Sequence, residues 1–213
     1  MSRYETEEEQ IEAIKSWWKK NGTQLLTLIL VVVVAISGWR YWNHQQAVKA
    51  TNASAIFEIL QANMQQGTFG EVSREGLKLI QEQPESPYAS GAALLLAKFS
   101  LDKGDVGEAK HHLEWVRVNG ADAALKQVAT LRLARLLADQ KEYSQAQEML
   151  TSISSNQLPA AEKANFDYVS GLIALGQEDK DAARQSFAKV VENMDASKTL
   201  KGIAQIQLDD LAA

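Results

Sequence analysis

Hydrophobic and polar positions divide the chain into three regimes. From Leu25 to Ile36 the sequence is continuously apolar apart from Thr27 and includes four consecutive valines, Val31 to Val34. The 19 residues from Asn21 to Trp39 carry no charged side chain and lie between Lys20 and Arg40. A bilayer core of about 30 Å needs about 20 apolar residues in a helix, so the pattern predicts one membrane-spanning helix over residues 23–42. Ahead of it, Ile11, Ile14, Trp17 and Trp18 recur at helical spacing. They predict a short amphipathic helix within residues 1–22, opened by a capping box at Thr6 and Glu9 and closed by lysines before Gly22. Trp17 and Trp18 on one side, and Trp39, Tyr41 and Trp42 on the other, are the candidate membrane-interface residues. Residues 43–54 are polar and hold no Pro or Gly, so they are expected to continue the helix.

Residues 55–213 change period. They show no sustained two-residue alternation, and small and large apolar residues recur instead at a fixed step. Ala97, Ala134 and Gly171 stand 37 residues apart, and so do Ala109, Ala146 and Ala183. Leu113, Leu150 and Phe187 keep the step of 37, as do Val116, Ile153 and Val190. Between them lie the turn-prone stretches Asp102 to Asp105, Asp139 to Glu142 and Gly176 to Asp179. The reading is a row of helix–turn–helix units near 88–120, 125–156 and 162–194, with an eroded first unit near 55–83 and a solvating cap helix over 197–211. The predicted fold class is all-α.

A repeated helix pair of this kind resembles the tetratricopeptide family, with Gly104, Ala109 and Leu113 at the expected relative places. The step of 37 exceeds that family's roughly 34 residues, and the usual tryptophan and tyrosine of the first helix are absent. The resemblance implies an α-solenoid whose first helices line a groove for a polypeptide partner. At such a groove it would place Leu94, Lys98, Leu101, Arg135, Asp139, Tyr168, Leu172 and Leu175.

Charge adds little to recognition but excludes a good deal. Mean hydropathy is −0.25, so one span tethers a water-soluble domain. Residues 1–42 hold five basic and five acidic side chains, leaving 17 basic and 22 acidic in the remainder. A mildly acidic domain without a basic stripe argues against nucleic acid as partner. The absence of cysteine excludes disulfides and thiol chemistry and suits an oxidising compartment. Lys15, Lys19 and Lys20 precede the span while Arg40 and Lys49 follow it, which favours a cytoplasmic N-terminus. More than 20 residues precede the apolar core, so the span reads as an uncleaved signal anchor.

Catalytic signatures are missing. His111 and His112, adjacent on a helix, cannot ligate one metal and are expected to face solvent together. No glycine-rich phosphate loop, zincin motif or nucleophile elbow occurs. Neither catalytic, cofactor nor metal residues are nominated, and an enzyme is not expected.

The whole arrangement carries a closer likeness. Tyr4 to Gln10, Trp17-Trp18, Asn21-Gly22, the span, and Gly38-Trp39-Arg40-Tyr41-Trp42-Asn43 together resemble the YfgM family of ancillary subunits of the SecYEG translocon. The resemblance implies a bacterial inner-membrane protein with its N-terminus in the cytoplasm and its repeats in the periplasm. It further implies partners: the translocon, a membrane-anchored periplasmic chaperone and newly exported chains. Two other roles stay open on the sequence, a regulator of a cytoplasmic signalling protein through residues 1–22 and an organiser of another envelope assembly.

Overall fold

The computed structural model describes residues 7–212, all-helical with no strand among them. The elements are α1 (Glu7–Gln66), α2 (Phe69–Glu82), α3 (Pro87–Asp102), α4 (Val106–Asn119), α5 (Ala123–Asp139), α6 (Tyr143–Thr151), α7 (Ala160–Gly176), α8 (Lys180–Glu192) and α9 (Lys198–Ala212). A single 3₁₀ turn, Ser155–Gln157, sits between α6 and α7. The all-α expectation is borne out. Two compact units divide the chain within α1, residues 1–51 and 52–213.

In the first unit the helix carries its apolar stretch uncovered, with Leu26, Ile29, Val32 and Ile36 all exposed. An unburied apolar surface of this length is what lipid, rather than a protein core, would cover. Polar groups inside it are satisfied within the helix: the Thr27 hydroxyl donates to the Thr23 carbonyl at 2.8 Å. From Trp18 to Trp39 the helix rises about 32 Å, close to the thickness of a hydrocarbon core. The expected stop at Gly22 is corrected, because α1 runs through it without a break. The glycine serves packing instead. A Cβ there would lie 3.1 Å from Cε2 of Trp18, whose indole occupies that space one turn earlier. Residues 43–54 are helical, within α1. The capping box rests on Thr6, outside the described residues.

In the second unit antiparallel helix pairs stack: α3 on α4, α5 on α6, α7 on α8, with α9 closing the last pair. The step of 37 has a backbone cause. Among the described residues four take a positive φ, namely Gly67 at 74°, Gly104 at 79°, Lys141 at 65° and Glu178 at 66°, and each stands 37 after the previous one. Each ends a first helix with the same pair of bonds. The amides of Asp105, Glu142 and Asp179 donate to the carbonyls of Ser100, Leu137 and Ala174 at 2.8, 2.8 and 2.9 Å. Those of Gly104, Lys141 and Glu178 donate to Leu101, Ala138 and Leu175 at 2.9, 2.9 and 3.1 Å. This is the Schellman closure, which satisfies the last carbonyls of a helix and reverses the chain within two residues. Thr68 repeats it on Asn63 at 3.1 Å, so the turn between α1 and α2 belongs to the same series. Asp105 and Asp179 then cap the following helix through Glu108 and Ala182 at 3.0 Å each.

Packing follows from the same step. Ala109, Ala146 and Ala183 are fully buried, as are Val116 and Val190. Gly171 lets Phe187 approach: a Cβ on it would come within 2.5 Å of the Phe187 ring. Around α1 and α2 the sizes are exchanged. Leu60 stands where the later units have Ala97, Ala134 and Gly171, and Gly76 stands where they have Leu113, Leu150 and Phe187. Leu96 fills the room above Gly76, 2.9 Å from where a Cβ would sit. That exchange hides the first unit from a simple size pattern. On α9, Leu200 and Ala204 are buried and Ile203, Leu208 and Leu211 lie against the Phe187 cluster.

Candidate partner groove

First helices α3 and α5 bound a cleft of about 600 Å³. Five of the groove positions expected from sequence converge on it: Leu94, Lys98, Leu101, Arg135 and Asp139. Leu94, Leu113 and Leu136 are buried and form its floor, while Lys98, Leu101 and Asp139 reach its exposed rim. Successive units place like residues in register. Lys98 and Arg135 are one step apart, and so are Asp102 and Asp139, giving each helix a cation followed by a carboxylate one turn on.

Electrostatics tie this cleft to the next pair. Arg135 Nε lies 3.9 Å from Asp139 Oδ2, and its guanidinium stands 5.0 Å from the centroid of the Tyr168 ring. Partial burial raises the pKa of Asp139 above its ordinary value, with Arg135 pulling it back. Burial likewise raises that of Tyr168, again opposed by Arg135.

The remaining three expected positions sit differently. Tyr168 is only 5% exposed and packs its ring on Phe187 at 5.6 Å. Leu172 and Leu175 are half-buried against the cluster that α9 helps close. Sequence reasoning missed Arg132, which is exposed and lines both the main cleft and a smaller one of about 210 Å³ beside Glu162 and Asn165. Its equivalents one step away are Leu95 and Val169, so periodicity could not nominate it. The signal available was its place three residues before Arg135, on the same helix face.

The histidine expectation is corrected. His111 is exposed, but His112 is only 7% exposed, with Nε2 3.7 Å from Glu108 Oε2. Neighbours on a helix differ by about 100°, so one turned outward obliges the other toward the stack. Burial lowers the pKa of His112, Glu108 raises it and His111 lowers it again. Among the described residues no three His, Asp or Glu side chains gather as a metal site. Trp17, Trp18, Trp39, Tyr41 and Trp42 are all exposed along α1, as side chains facing a membrane interface would be.

An apolar helix of membrane-spanning length followed by stacked helix pairs with a cleft between first helices defines a helical-repeat architecture. The chain belongs to the tetratricopeptide repeat-like domain family, which matches residues 15–213. Curated relatives extend the likeness over the full length. The chain is 28% identical to the ancillary SecYEG translocon subunit of Escherichia coli (strain K12), covering 100% of both chains. It is 27% identical to that of Aggregatibacter actinomycetemcomitans, over 96% of this chain and 97% of the relative. With that of Neisseria gonorrhoeae it shares 25% identity over 99% and 100%. The YfgM resemblance is thereby borne out. No solved structure matches the chain.

Proposed function

We propose that this protein is a non-catalytic, membrane-anchored scaffold that works beside the SecYEG translocon. Residues 23–42 of α1 cross the inner membrane, residues 1–22 lie on the cytoplasmic side, and the repeats project into the periplasm. There the groove on α3 and α5 holds a membrane-anchored chaperone or a newly exported chain. The observation that carries this reading is the end-to-end match to ancillary translocon subunits, anchor and repeats together. The uncovered apolar stretch of α1 supports the anchor, and the three lysines ahead of it support the orientation. An open cleft with a leucine floor supports a binding rather than a chemical role.

Two measurements test it. Photo-crosslinking residues placed at Leu101 and Arg132, in intact membranes, should capture periplasmic chaperones or exported chains. Recovery of cytoplasmic proteins alone overturns the assignment. Protease added to spheroplasts should digest residues 45–213 and spare the N-terminus; protection of the repeats overturns the topology.

A further inference from the structure

We propose that the cleft on α3 and α5 recognises an extended polypeptide segment in which acidic and apolar side chains alternate. This rests on the reading that the repeats bind protein, and adds what kind of sequence they accept.

The floor of Leu94, Leu113 and Leu136 offers an apolar surface, and Leu101 on the rim is 42% exposed. Burying a ligand's apolar side chain there removes surface from water on both partners. Above the floor stand Lys98, Arg132 and Arg135. Among the described residues Lys98 and Arg132 make no ion pair or hydrogen bond with another side chain. Arg135 is held loosely, 3.9 Å from Asp139 and 5.0 Å from the centroid of the Tyr168 ring. Against the two carboxylates of the same lining, Asp102 and Asp139, these three cations over a leucine floor leave a small positive excess at one place on a domain whose net charge is −5. The rest of the domain carries a net negative charge, which on average disfavours an acidic ligand and so favours its steering to the cleft.

The spacing sets the pattern. Successive side chains of an extended strand point to opposite sides, so alternate residues can enter the floor while those between meet the rim. Asp102 and Asp139, at the C-terminal ends of the same helices, border the same cleft. A continuous run of carboxylates would meet repulsion there, whereas an apolar side chain or a backbone amide would not. Alternation sets fewer carboxylates beside Asp102 and Asp139 than a uniformly acidic segment does, while still offering carboxylates to the cations and apolar side chains to the floor.

The test uses the full chain in lipid nanodiscs and four fluorescein-labelled peptides of equal length, read by fluorescence anisotropy. In three, leucine alternates with glutamate, glutamine or lysine; the fourth separates the leucines and glutamates into two blocks. The alternating glutamate peptide should bind about tenfold tighter than the glutamine peptide, tighter than the block peptide, and less tightly as salt rises. In K98E/R132E the lysine peptide should overtake the glutamate one. Both residues are exposed, so circular dichroism should match the wild type. Equal binding of glutamate and glutamine peptides, or an unchanged order in the charge-reversed variant, overturns the charge selection and leaves the groove reading standing. Equal binding of alternating and block peptides overturns the alternation. Failure of every peptide to bind overturns the inference together with the groove as a peptide site.

Discussion

The left-handed turns give the most direct quantitative test of how the repeat is built. Gly104, Lys141 and Glu178 hold the same place in successive units, with φ of 79°, 65° and 66°, yet only the first is a glycine. An L-residue in this region costs about 1–2 kcal/mol, from Cβ crowding against the neighbouring carbonyl. Glycine escapes that cost but loses more backbone freedom on folding, which returns about 0.5–1 kcal/mol to any replacement. A Cβ at Gly104 would meet nothing within 4 Å, so G104A should register the backbone term alone, a net loss of about 1 kcal/mol. K141G and E178G should each gain a comparable amount. The sites lie in separate turns, so the two gains should add. For a domain of this size 1 kcal/mol shifts the melting midpoint by about 2–4 °C. The assay is thermal unfolding of the full chain in mild detergent, followed by far-ultraviolet circular dichroism. The order of melting must be G104A, then wild type, then K141G, then K141G/E178G. A G104A protein as stable as wild type, or a destabilised K141G, would refute the turn as the origin of the 37-residue step.

Three further outcomes follow from the packing and the charges. G171A should lose about 1–3 kcal/mol by overpacking against Phe187, and F187L should recover part of it by recreating the alanine–leucine pairing of the two preceding units; a simple sum of the two losses in the double variant would contradict the close approach. Because the pKa of His112 is lowered in the folded chain, the unfolded chain takes up a proton first as pH falls through 6.5, the ordinary histidine value. Stability is therefore complete above that value and declines below it until the folded form is protonated too. Urea midpoints at about pH 7.5 and about pH 5.5 should differ less in H112Q than in wild type. Lastly, V31K/V34K places two charges near the centre of the span, each costing about 2.5–3.5 kcal/mol on insertion. Alkaline extraction should release this variant from membranes and leave V31I behind.

The likeness to ancillary translocon subunits was legible in residues 4–43, where a membrane helix is specified almost locally. A membrane-spanning helix satisfies its backbone within the segment and turns its side chains to lipid, so length and composition suffice to mark a candidate. The repeat was legible for a related reason. Each unit packs chiefly on its neighbours, and the same small and large positions must recur for pairs to stack at one spacing. What sequence alone could not decide is which side of a helix stays open. Leu101 and Leu175 occupy the same register two units apart, yet Leu101 is on a cleft rim while Leu175 is half-buried in the cluster that α9 helps close. His112 and His111 differ by one residue and divide between interior and solvent. Arg132 joined the groove because α3 and α5 face one another there, although its equivalents are apolar. Lys141 and Glu178 accept a backbone that their own residue types disfavour, because the closing bonds and the stacked neighbours outweigh a local preference of about 1 kcal/mol. Local chemistry determined the anchor, the period and the class; the stacking of one pair on the next decided which residues of that period form core and which are left to meet a partner.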